Sequence, residues 1–502
     1  MGTGVKPGGS ALRAPLWVDA QNVIFDSDGP HSMRGRLTPT ALTPFFDSVA
    51  GNFDDATGNF DDGGQGTLSF SKPLSVPVTG LLEQLTTANE IFVFIGYLAA
   101  LYKWGSAAAP EDVSKAGGYT GYDDESITHP ATMWSIQPWV DYTVATNGVD
   151  APQYYTGSGD FANLADAVTA FTTAEIFQPL GPHMLAFATG NSKRGFSWCK
   201  ENDITVWQSA THPSAGAKVI REFNADIKCV KPLGDGLAVY TENQMAIVSY
   251  LGTPLYFGAL LALGGIGATG KNSVCVVGRL HYGLSRDGIW RTDGATKEYV
   301  TDDSFKDWLH DNLNLNQLSK VSAFYNEKFH TVQFSVPMLG SNSVAQEIVL
   351  NIESRALMIK STLYGTVYSD RQNFGHGLQG LVGGNVVEYC RGLTDDGSTM
   401  TCYVQTKAMD FGAKNFRKFI DFIIAEVHLQ SGSSISFQWA VTETANDTPS
   451  FSTAVTVDEL AELLPVCSTD RPYLHLKFSS AASVEWTVAN FEVHGDVTSM
   501  VQ

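Results

Sequence analysis

The chain has 502 residues, 52 of them Asp or Glu and 32 of them Lys or Arg, which gives a net charge of −20 at pH 7. So acidic a chain lacks the clusters of Lys and Arg that neutralise phosphates, which argues against tight binding to nucleic acid or to anionic membranes. Only 17% of the residues are charged, whereas glycines (48) and aromatic residues (11%) are plentiful, and this composition favours an all-β fold.

Residues 1–80 are predicted to form an N-terminal arm that includes an acidic loop. The first fifteen residues contain no apolar run of the kind that a secretory signal needs. Trp17 to Phe25 is typical of a strand, Ser27–Gly29 of a turn, and Met33–Leu37 of a short return strand.

The acidic loop covers residues 51–66, where the motif NFDD occurs twice. Its carboxylates are of the kind that Ca²⁺ prefers as ligands, namely Asp54, Asp55, Asp61 and Asp62. No EF-hand or nonapeptide pattern fits, so a solvated acidic loop is favoured and a metal site stays open.

Residues 81–397 are predicted to form a β-propeller of six or seven blades. Three hairpin patterns centre on turns at Lys200–Asp203, Thr241–Asn243 and Arg286–Gly288. Further turn signals recur at intervals of 43 to 47 residues, a period that suits four-stranded blades. These signals are Asn147-Gly148, Gly190-Asn191, Gly234–Gly236, Arg279 and Asn326-Glu327, with less regular members near Gly96 and Gly383.

Two stretches interrupt this rhythm. In DSFKDWLHDNLNLNQLSK, apolar residues at helical spacing predict a packing helix between two blades, its stripe formed by Phe305, Trp308, Leu309 and Leu313. The most apolar window, Leu251 to Ala268, contains Pro254 and five glycines, so a buried strand or loop is favoured over a membrane helix.

Residues 398–502 are predicted to form a C-terminal β-sandwich, because five strand-like runs are separated by short polar turns. Basic residues cluster near its start: Lys407, Lys414, Arg417 and Lys418. A solvated loop is the simpler interpretation, and a docking surface for an acidic partner is the alternative.

Motifs that carry chemistry are weak. GGIGATGKN matches both GxGxxG (Gly265, Gly267, Gly270) and GxxxxGK, but strand-like residues follow Lys271 where a phosphate-binding loop needs a helix. Asn272 also stands where a Mg²⁺-binding Ser or Thr is needed.

The remaining polar residues suggest structural roles. The eleven histidines include no HExxH or HxH grouping, and we expect His183, His281, His330 and His376 to be structural. The scattered cysteines are expected to be reduced and buried: Cys199, Cys229, Cys275, Cys390, Cys402 and Cys467. We therefore predict no catalytic, cofactor-binding or metal-binding residues, and no enzyme activity.

SRDGIWRTDG resembles the Asp-box of sialidase-type propellers through Ser285, Asp287, Gly288 and Trp290. The motif is one residue short and occurs once, and in those enzymes it is structural. A glycosidase also needs paired carboxylates at a pocket, and no pair can be chosen among the 52 acidic residues.

A longer stretch, WVDAQNVIFDSDGPHSMRGRL, resembles the opening of the tail hub or nozzle proteins of short-tailed bacteriophages (the packaged-DNA stabilisation and tail tubular proteins). The matching residues are Ala20, Gln21, Asn22, Val23, Phe25, Gly29, Arg34 and Gly35. Further similarities extend to about residue 300: Trp139, Asn147, Gly148, Pro152, Ser197, Trp198 and Trp207, and then TPLYFGALLALGGIGATGKNSV followed by RDGIWRTDG. The acidic loop and the helix near Trp308 have no counterpart in that pattern.

The resemblance implies a structural virion protein, assembled in the host cytoplasm, that forms a homo-hexameric ring of propellers. Such a ring attaches below the portal-adaptor, retains packaged DNA, lets double-stranded DNA pass without specific binding, and anchors tail fibre, spike or needle proteins. Two alternatives stay open: a propeller glycoside hydrolase that acts on surface glycans, and a non-enzymatic propeller that serves as a binding scaffold.

Overall fold

The computed structural model of the chain describes residues 17–21, 23–26, 29–32, 36–37, 71–87, 90–105, 109–124, 131–210, 212–301, 303–327, 329–360, 365–369, 377–389, 399, 401–406, 408–411, 416–429, 432–445, 447–458, 461–465, 471–480 and 484–500. Strands dominate these residues, and nearly all pair antiparallel in small sheets. The predicted all-β class is confirmed.

Five four-stranded antiparallel sheets, here called sheets 1 to 5, follow one another along the chain. Sheet 1 contains β5 (Val78–Leu85), β6 (Ile91–Tyr97), β7 (Leu101–Trp104) and β8 (Glu111–Asp112). Sheet 2 contains β9 (Ser135–Trp139), β10 (Tyr142–Thr146), β11 (Gln153–Tyr155) and β12 (Ala162–Asn163). Sheet 3 contains β13 (Ile176–Leu180), β14 (His183–Thr189), β15 (Ser192–Trp198) and β16 (Gly216–Val219).

Sheet 4 contains β17 (Cys229–Leu233), β18 (Gly236–Tyr240), β19 (Gln244–Gly252) and β20 (Tyr256–Gly264). Sheet 5 contains β21 (Val274–Val277), β22 (Leu280–Ser285), β23 (Gly288–Thr292) and β24 (Lys297–Tyr299). Within each sheet every strand pairs with the next one in sequence, so each sheet is a meander whose turns alternate between its two ends.

Two more meanders continue the series. Sheet 6 contains β25 (Ser322–Asn326), β26 (Thr331–Pro337), β27 (Val344–Asn351) and β28 (Leu357–Lys360). Sheet 7 contains β29 (Gly365–Tyr368), β30 (Leu378–Leu381), β31 (Val386–Tyr389) and, from the N-terminal arm, β4 (Arg36–Leu37). The pairing of Tyr389 with Arg36 thus lets the start of the chain complete the last meander.

The first strands of consecutive sheets contact one another. The contacts run from β5 to β9, β13, β17, β21, β25 and β29, and β29 in turn contacts β5. The seven first strands therefore surround a common axis, and the buried apolar residues between neighbouring sheets form separate core clusters.

The C-terminal strands form two sheets together with the N-terminal strands β1 (Trp17–Gln21), β2 (Val23–Asp26) and β3 (Gly29–Ser32). The C-terminal strands are β32 (Cys402–Thr406), β33 (Phe416–Leu429), β34 (Ile435–Thr442), β35 (Val455–Val457), β36 (Ala461–Pro465), β37 (Tyr473–Ser480) and β38 (Trp486–Met500). The five predicted strand runs are confirmed, and the short β35 and β36 were not foreseen.

Strand β1 joins two parts of the molecule. It lies between β28 of sheet 6 and β32, so one nine-stranded sheet runs from sheet 6 into the C-terminal unit. The second sheet has the order β2-β3-β38-β33-β36, and one core cluster is shared by the two sheets. The boundaries at 80 and 397 stay predictions, but the C-terminal core contains Val23 as well as residues after 398.

The N-terminal arm differs from the sequence prediction. The predicted strand Trp17 to Phe25 is two strands in different sheets. The second of them pairs with Gly29–Ser32, whereas the return strand had been predicted at Met33–Leu37. Alternation alone cannot show this change, because β1 and β3 also pair with strands that lie hundreds of positions away.

Most predicted turns do join paired strands, but they are not equivalent. Those near 147, 190, 242 and 287 follow the second strand of a sheet, whereas those near 234, 279 and 326 follow the first. The intervals of 43 to 47 residues were therefore measured between turns of two different kinds. Both kinds carry Gly and Asn signals, so the pattern could not distinguish them.

The hairpin predicted at Lys200–Asp203 is wrong. Those residues form only an isolated bridge, and the partner of β15 is Gly216–Val219. The apolar residues that suggested a return strand are buried as a loop, with Trp207 donating from Nε1 to the Ile204 carbonyl. The Asp166 carboxylate accepts the Trp207 N–H at 2.5 Å, so a side chain replaces the expected strand partner.

The predicted packing helix is confirmed as Asp303–Asn312, followed by the 3₁₀ turn Leu318–Lys320. It lies between sheets 5 and 6, and its apolar stripe joins their shared core. A second helix, Ala165–Phe171, was missed because its N-cap residue Leu164 makes no capping hydrogen bond.

Candidate functional site

A cavity of about 380 Å³ lies on the common axis of sheets 1 to 7. Every one of the seven first strands contributes to its wall. Its polar wall residues include Gln137, Gln178, Lys231, Asn272, Tyr325 and Ser369. The volume falls in the range of small-ligand sites, although it also suits a group of ordered waters.

Lysine is the only residue type with a formal charge at neutral pH in this wall. Lys231 and Lys271 line the cavity, and no Asp or Glu does so among the residues that the structure describes. The chain as a whole carries −20, whereas the charged residues of this described wall are lysines.

Lys271 closes the end of the cavity where the first strands begin. Its Nζ lies 2.9 Å from the Glu175 carboxylate and donates to the Met133 carbonyl, also at 2.9 Å. Glu175 directly precedes β13, and Met133 is two residues before β9. Lys271 and its two partners therefore connect the chain segments that lead into the first strands of sheets 2, 3 and 5.

Glu175 stays ionised in this position. Burial by itself raises the pKa of its carboxyl, but the charges of Lys271 and Lys193 outweigh burial and lower the pKa to about 2. Gly148 approaches it so closely that a Cβ there would lie 2.2 Å from the Glu175 Oε2. The Asn147-Gly148 turn thus needs glycine for space as well as for its positive φ.

The glycine-rich loop before Lys271 leads into a strand, β21, as the sequence predicted. Its glycines serve close packing: a Cβ on Gly267 would lie 2.1 Å from the Glu242 carbonyl oxygen, and one on Gly270 would lie 2.5 Å from that of Ser319. The glycines of the motif are thus needed because other backbone segments pass close to them, and its lysine forms an ion pair with Glu175.

The SRDGIW stretch forms the β22–β23 turn. Ser285 Oγ accepts the Asp287 N–H, and the Asp287 carboxylate pairs with Lys306 of the packing helix at 2.7 Å. Trp290 is fully buried and donates from Nε1 to the Gly267 carbonyl. The motif anchors the glycine-rich loop and the helix, a structural role like that of the Asp-box.

Two predicted structural histidines are fully buried. His183 Nδ1 donates to the Cys199 carbonyl at 2.7 Å. His281 Nε2 donates to the Pro232 carbonyl, and its Nδ1 accepts the hydroxyl hydrogen of Tyr240, both at 2.7 Å. Burial lowers the pKa of His281 to about 4, so its imidazole is neutral at pH 7.

The other predicted sites divide between described and undescribed residues. His330 is exposed in the β25–β26 turn. Four cysteines are buried, as predicted: Cys199, Cys229, Cys275 and Cys402. The acidic loop and the residues His376, Cys390 and Cys467 lie outside the described residues. Within the described ranges no group of three or more His, Cys, Asp or Glu is arranged to hold a metal ion.

Of the basic cluster near residue 410 the structure describes Arg417 and Lys418, so the suggested docking surface stays a prediction. Lys418 is buried and donates to the Phe416 and Pro472 carbonyls, and burial lowers its pKa. Arg417 lies 3.8 Å from the Glu443 carboxylate. Lys407 and Lys414 lie outside the described residues.

A buried ion pair was missed by the sequence analysis. Glu347 and Lys360 are almost fully buried, with Nζ 3.6 Å from Oε2. Glu347 Oε1 accepts the Gly365 N–H and the amide of Gln379, which joins sheet 6 to sheet 7. Charged residues within otherwise apolar strands, as in AQEIVLN and LMIK, were the available signal.

The apolar window Leu251 to Ala268 is strand, as predicted, but it is not wholly buried. It contains the end of β19 and all of β20, and several of its leucines face solvent. None of the described helices is both long and apolar enough to span a membrane.

Comparisons with known proteins give no family. No family model and no curated protein matches the chain. Among solved structures, the chain is similar to the extracellular domain of a hybrid two-component system from B. thetaiotaomicron, with 10% identity and a TM-score of 0.40 over 70% of this chain. It spans 42% of that domain's length.

A second solved structure is an exo-β-1,3-galactanase from Phanerochaete chrysosporium in complex with β-1,3-galactotriose. The identity is 8% and the TM-score 0.26, over 74% of this chain and 98% of that one.

Proposed function

We propose that sheets 1 to 7 are the blades of a seven-bladed β-propeller, with the C-terminal sheets packed as a β-sandwich against blade 6. The observation that supports this fold is the return of the first-strand contacts from β29 to β5. Strand β4 pairs with β31, so the last blade is completed by the N-terminal arm, and the two ends of the ring of blades are held together.

We further propose that the protein is a structural component of a phage tail, a hub or nozzle subunit that forms a ring. The single observation that carries this proposal is the role of residues 17–37, the stretch with the family resemblance. These residues supply strands to blade 7, to the nine-stranded sheet and to the second C-terminal sheet. The stretch with the family resemblance is thus the one that joins blade 7 to both C-terminal sheets.

The DNA channel in this proposal lies between subunits and not along the propeller axis. The axial cavity has a volume of only about 380 Å³, and Lys271 closes one end of it. The major groove of duplex DNA alone is about 12 Å wide, so a duplex does not fit. The ring holds back packaged DNA, sits below the portal-adaptor and carries fibre, spike or needle proteins.

The hydrolase alternative receives less support. Most glycosidases act through two carboxyl groups at one pocket, and the described wall of the axial cavity offers lysines instead. A binding scaffold is compatible with the same cavity. An assay of the purified protein on bacterial surface glycans distinguishes the hydrolase from the tail hub and from the binding scaffold, because only the hydrolase cleaves them.

The test is the mass and shape of the purified full-length chain. Native mass spectrometry across a range of protein concentrations, with negative-stain electron microscopy, should show closed rings of one defined copy number. A chain that stays monomeric at every concentration, alone and with the adaptor ring, overturns the hub proposal.

A further inference from the structure

A polar residue followed by proline occupies the same position in three consecutive first strands. The strands β9, β13 and β17 have the sequences SIQPW, IFQPL and CVKPL, so Gln137, Gln178 and Lys231 are each the third of five residues. Strand β9 contacts β13, and β13 contacts β17. All three residues line the axial cavity. The structure thus aligns two amides and one ammonium group on neighbouring strands of its wall.

The prolines fit the free edge on which these residues lie. Each of the three strands is at the end of its sheet, so no further strand pairs with the side that faces the axis. Proline is tolerated on such an edge because its missing N–H is not needed for a neighbouring strand. The side chains of Gln137, Gln178 and Lys231 supply polar groups to this part of the wall.

The amides of this wall have no protein partner. Asn272, two residues before β21, also lines the cavity. The side chains of Gln137, Gln178 and Asn272 form no hydrogen bond to any residue that the structure describes, although Gln178 is only 9% exposed. Buried amides are normally hydrogen-bonded, since an unpaired buried donor or acceptor is costly. The cavity therefore suits molecules that both donate and accept hydrogen bonds.

The described charges around the cavity sum to a positive value. At one end, Lys271 and Lys193 both lie within 3.0 Å of the Glu175 carboxylate, so two positive charges surround one negative charge. Lys231 adds a positive charge to the wall, and no described Asp or Glu lines it. The field of more distant carboxylates is screened over about 8 Å at physiological salt. The wall therefore favours an anionic ligand.

The cavity has room for a small organic molecule and a way in. Pro232 and Val276 line it nearer the end opposite Lys271, and both are exposed, Val276 to 37%. A solute can enter from that end. The volume of about 380 Å³ lies near the lower limit of small-ligand pockets, which suits a molecule about as large as a monosaccharide.

We propose that the axial cavity binds a sugar acid of monosaccharide size. Its carboxylate lies at Lys231, because hydrogen bonds between an ammonium group and a carboxylate are the strongest that this wall offers. Its hydroxyl groups lie at the amides of Gln137, Gln178 and Asn272, because a hydroxyl group and an amide both donate and accept. The site lies within one copy of the chain, so it does not depend on the proposed ring.

The test is isothermal titration calorimetry of the purified full-length chain with three ligands. Glucuronate carries both the carboxylate and the hydroxyl groups, glucose has the hydroxyl groups alone, and acetate has the carboxylate alone. Glucuronate should bind, and glucose and acetate should each bind at least about tenfold more weakly, because each lacks one half of the recognised chemistry. This comparison uses the wild type and needs no variant.

Variants assign the two halves of the ligand to residues. Lys231→Met should weaken glucuronate binding about tenfold or more and leave glucose unchanged, whereas Gln178→Leu should weaken both. The matched control is Lys297→Met, which removes the same charge from the outermost strand of blade 5 and should bind glucuronate like the wild type. Circular dichroism and thermal unfolding check that each variant folds, and Lys231→Gln replaces Lys231→Met if it does not.

The contrary outcomes are distinct. If none of the three ligands binds, the cavity contains water only and the inference is wrong. If glucose binds as tightly as glucuronate, the carboxylate is not recognised, and if acetate does, the hydroxyl groups are not. If Lys231→Met and Lys297→Met bind glucuronate equally, the site lies elsewhere. Each of these results overturns the sugar-acid site and leaves the ring proposal to its own test.

Discussion

Lys271 belongs to a phosphate-loop motif in the sequence but has a different, structural role in the fold. In the sequence it ends a phosphate-loop pattern, but in the fold its Nζ binds Glu175 and the Met133 carbonyl at one end of the axial cavity. Its partners lie 96 and 138 positions away. No local pattern could have named them, because the closure of the ring of sheets brings them together.

The pair predicts a measurable coupling. Lys271→Met should lower the free energy of unfolding by about 3 kcal/mol at pH 7, because it leaves a buried carboxylate with one partner fewer. The double variant Glu175→Gln with Lys271→Met should lose less than the sum of the two single changes, as measured in urea. Lys193→Met is the control, since Lys193 is 43% exposed and should cost at most about 1 kcal/mol. If the double variant loses as much unfolding free energy as the two single variants together, Glu175 and Lys271 are not directly coupled.

His281 predicts a pH dependence. Its pKa falls from 6.5 to about 4 on folding, so below pH 6.5 the unfolded chain takes up the proton first. The unfolding free energy should therefore be constant above pH 6.5 and fall by about 3 kcal/mol between pH 6.5 and pH 4 from this residue. His281→Gln, which keeps both hydrogen-bonding groups, should flatten that part of the curve. His310→Gln, at an exposed helix position, should leave it unchanged.

At the scale of elements, the sequence predicted the positions of turns better than it predicted which strands pair. The Gly-Asn turn at 190–191 and the turn at Arg279 each join the expected strands, because Gly and Asn are common turn residues and Gly278 precedes Arg279. The hairpin prediction at Lys200–Asp203 failed because Ile204 and Trp207 are buried in a loop and do not form a return strand. Strands β1, β3 and β4 pair with residues hundreds of positions away, and a local pattern contains no information on such pairs.

The N-terminal strands give a prediction at this scale. Val23 is fully buried in the core of the two C-terminal sheets, so Val23→Ala should cost about 2 kcal/mol in urea unfolding of the full chain. Val76→Ala, at a position 38% exposed, should change stability by less than about 0.5 kcal/mol. The fragment 398–502 alone lacks β1 to β3, and adding the peptide 17–37 should raise its melting temperature. Equal melting temperatures with and without the peptide would show that the C-terminal unit is independent.

At the scale of the whole molecule, the composition predicted the class of the fold, but the axial cavity depends on the order and contacts of the sheets. Glycine and aromatic content favoured an all-β chain, which is confirmed. The cavity could not be foreseen, because its wall takes a few residues from each of seven strands spread over about 290 positions. A side chain such as Gln178 has no feature in sequence that separates it from a surface glutamine.

The acidity of the whole molecule gives the last prediction, that the assembled protein does not bind duplex DNA. In the proposed ring of six copies, −20 each would give −120, and we expect phosphates in its channel to be repelled from the wall. Screening confines the effect to about 8 Å of the wall at physiological salt, so it centres the duplex and allows it to slide. A bland alternative is that the acidity only keeps the outer surface soluble.

Fluorescence anisotropy of a labelled duplex, titrated with the purified protein, checks this expectation. No binding should be detected at about 0.15 M salt, where non-specific DNA-binding proteins have dissociation constants of about 10⁻⁴ to 10⁻⁶ M. Lowering the salt to about 0.05 M should not produce it either, because a wall without lysine clusters releases no counterions on contact. Binding that strengthens steeply as salt falls would mean that Lys and Arg line the channel, and repulsion could then not explain how DNA slides through it.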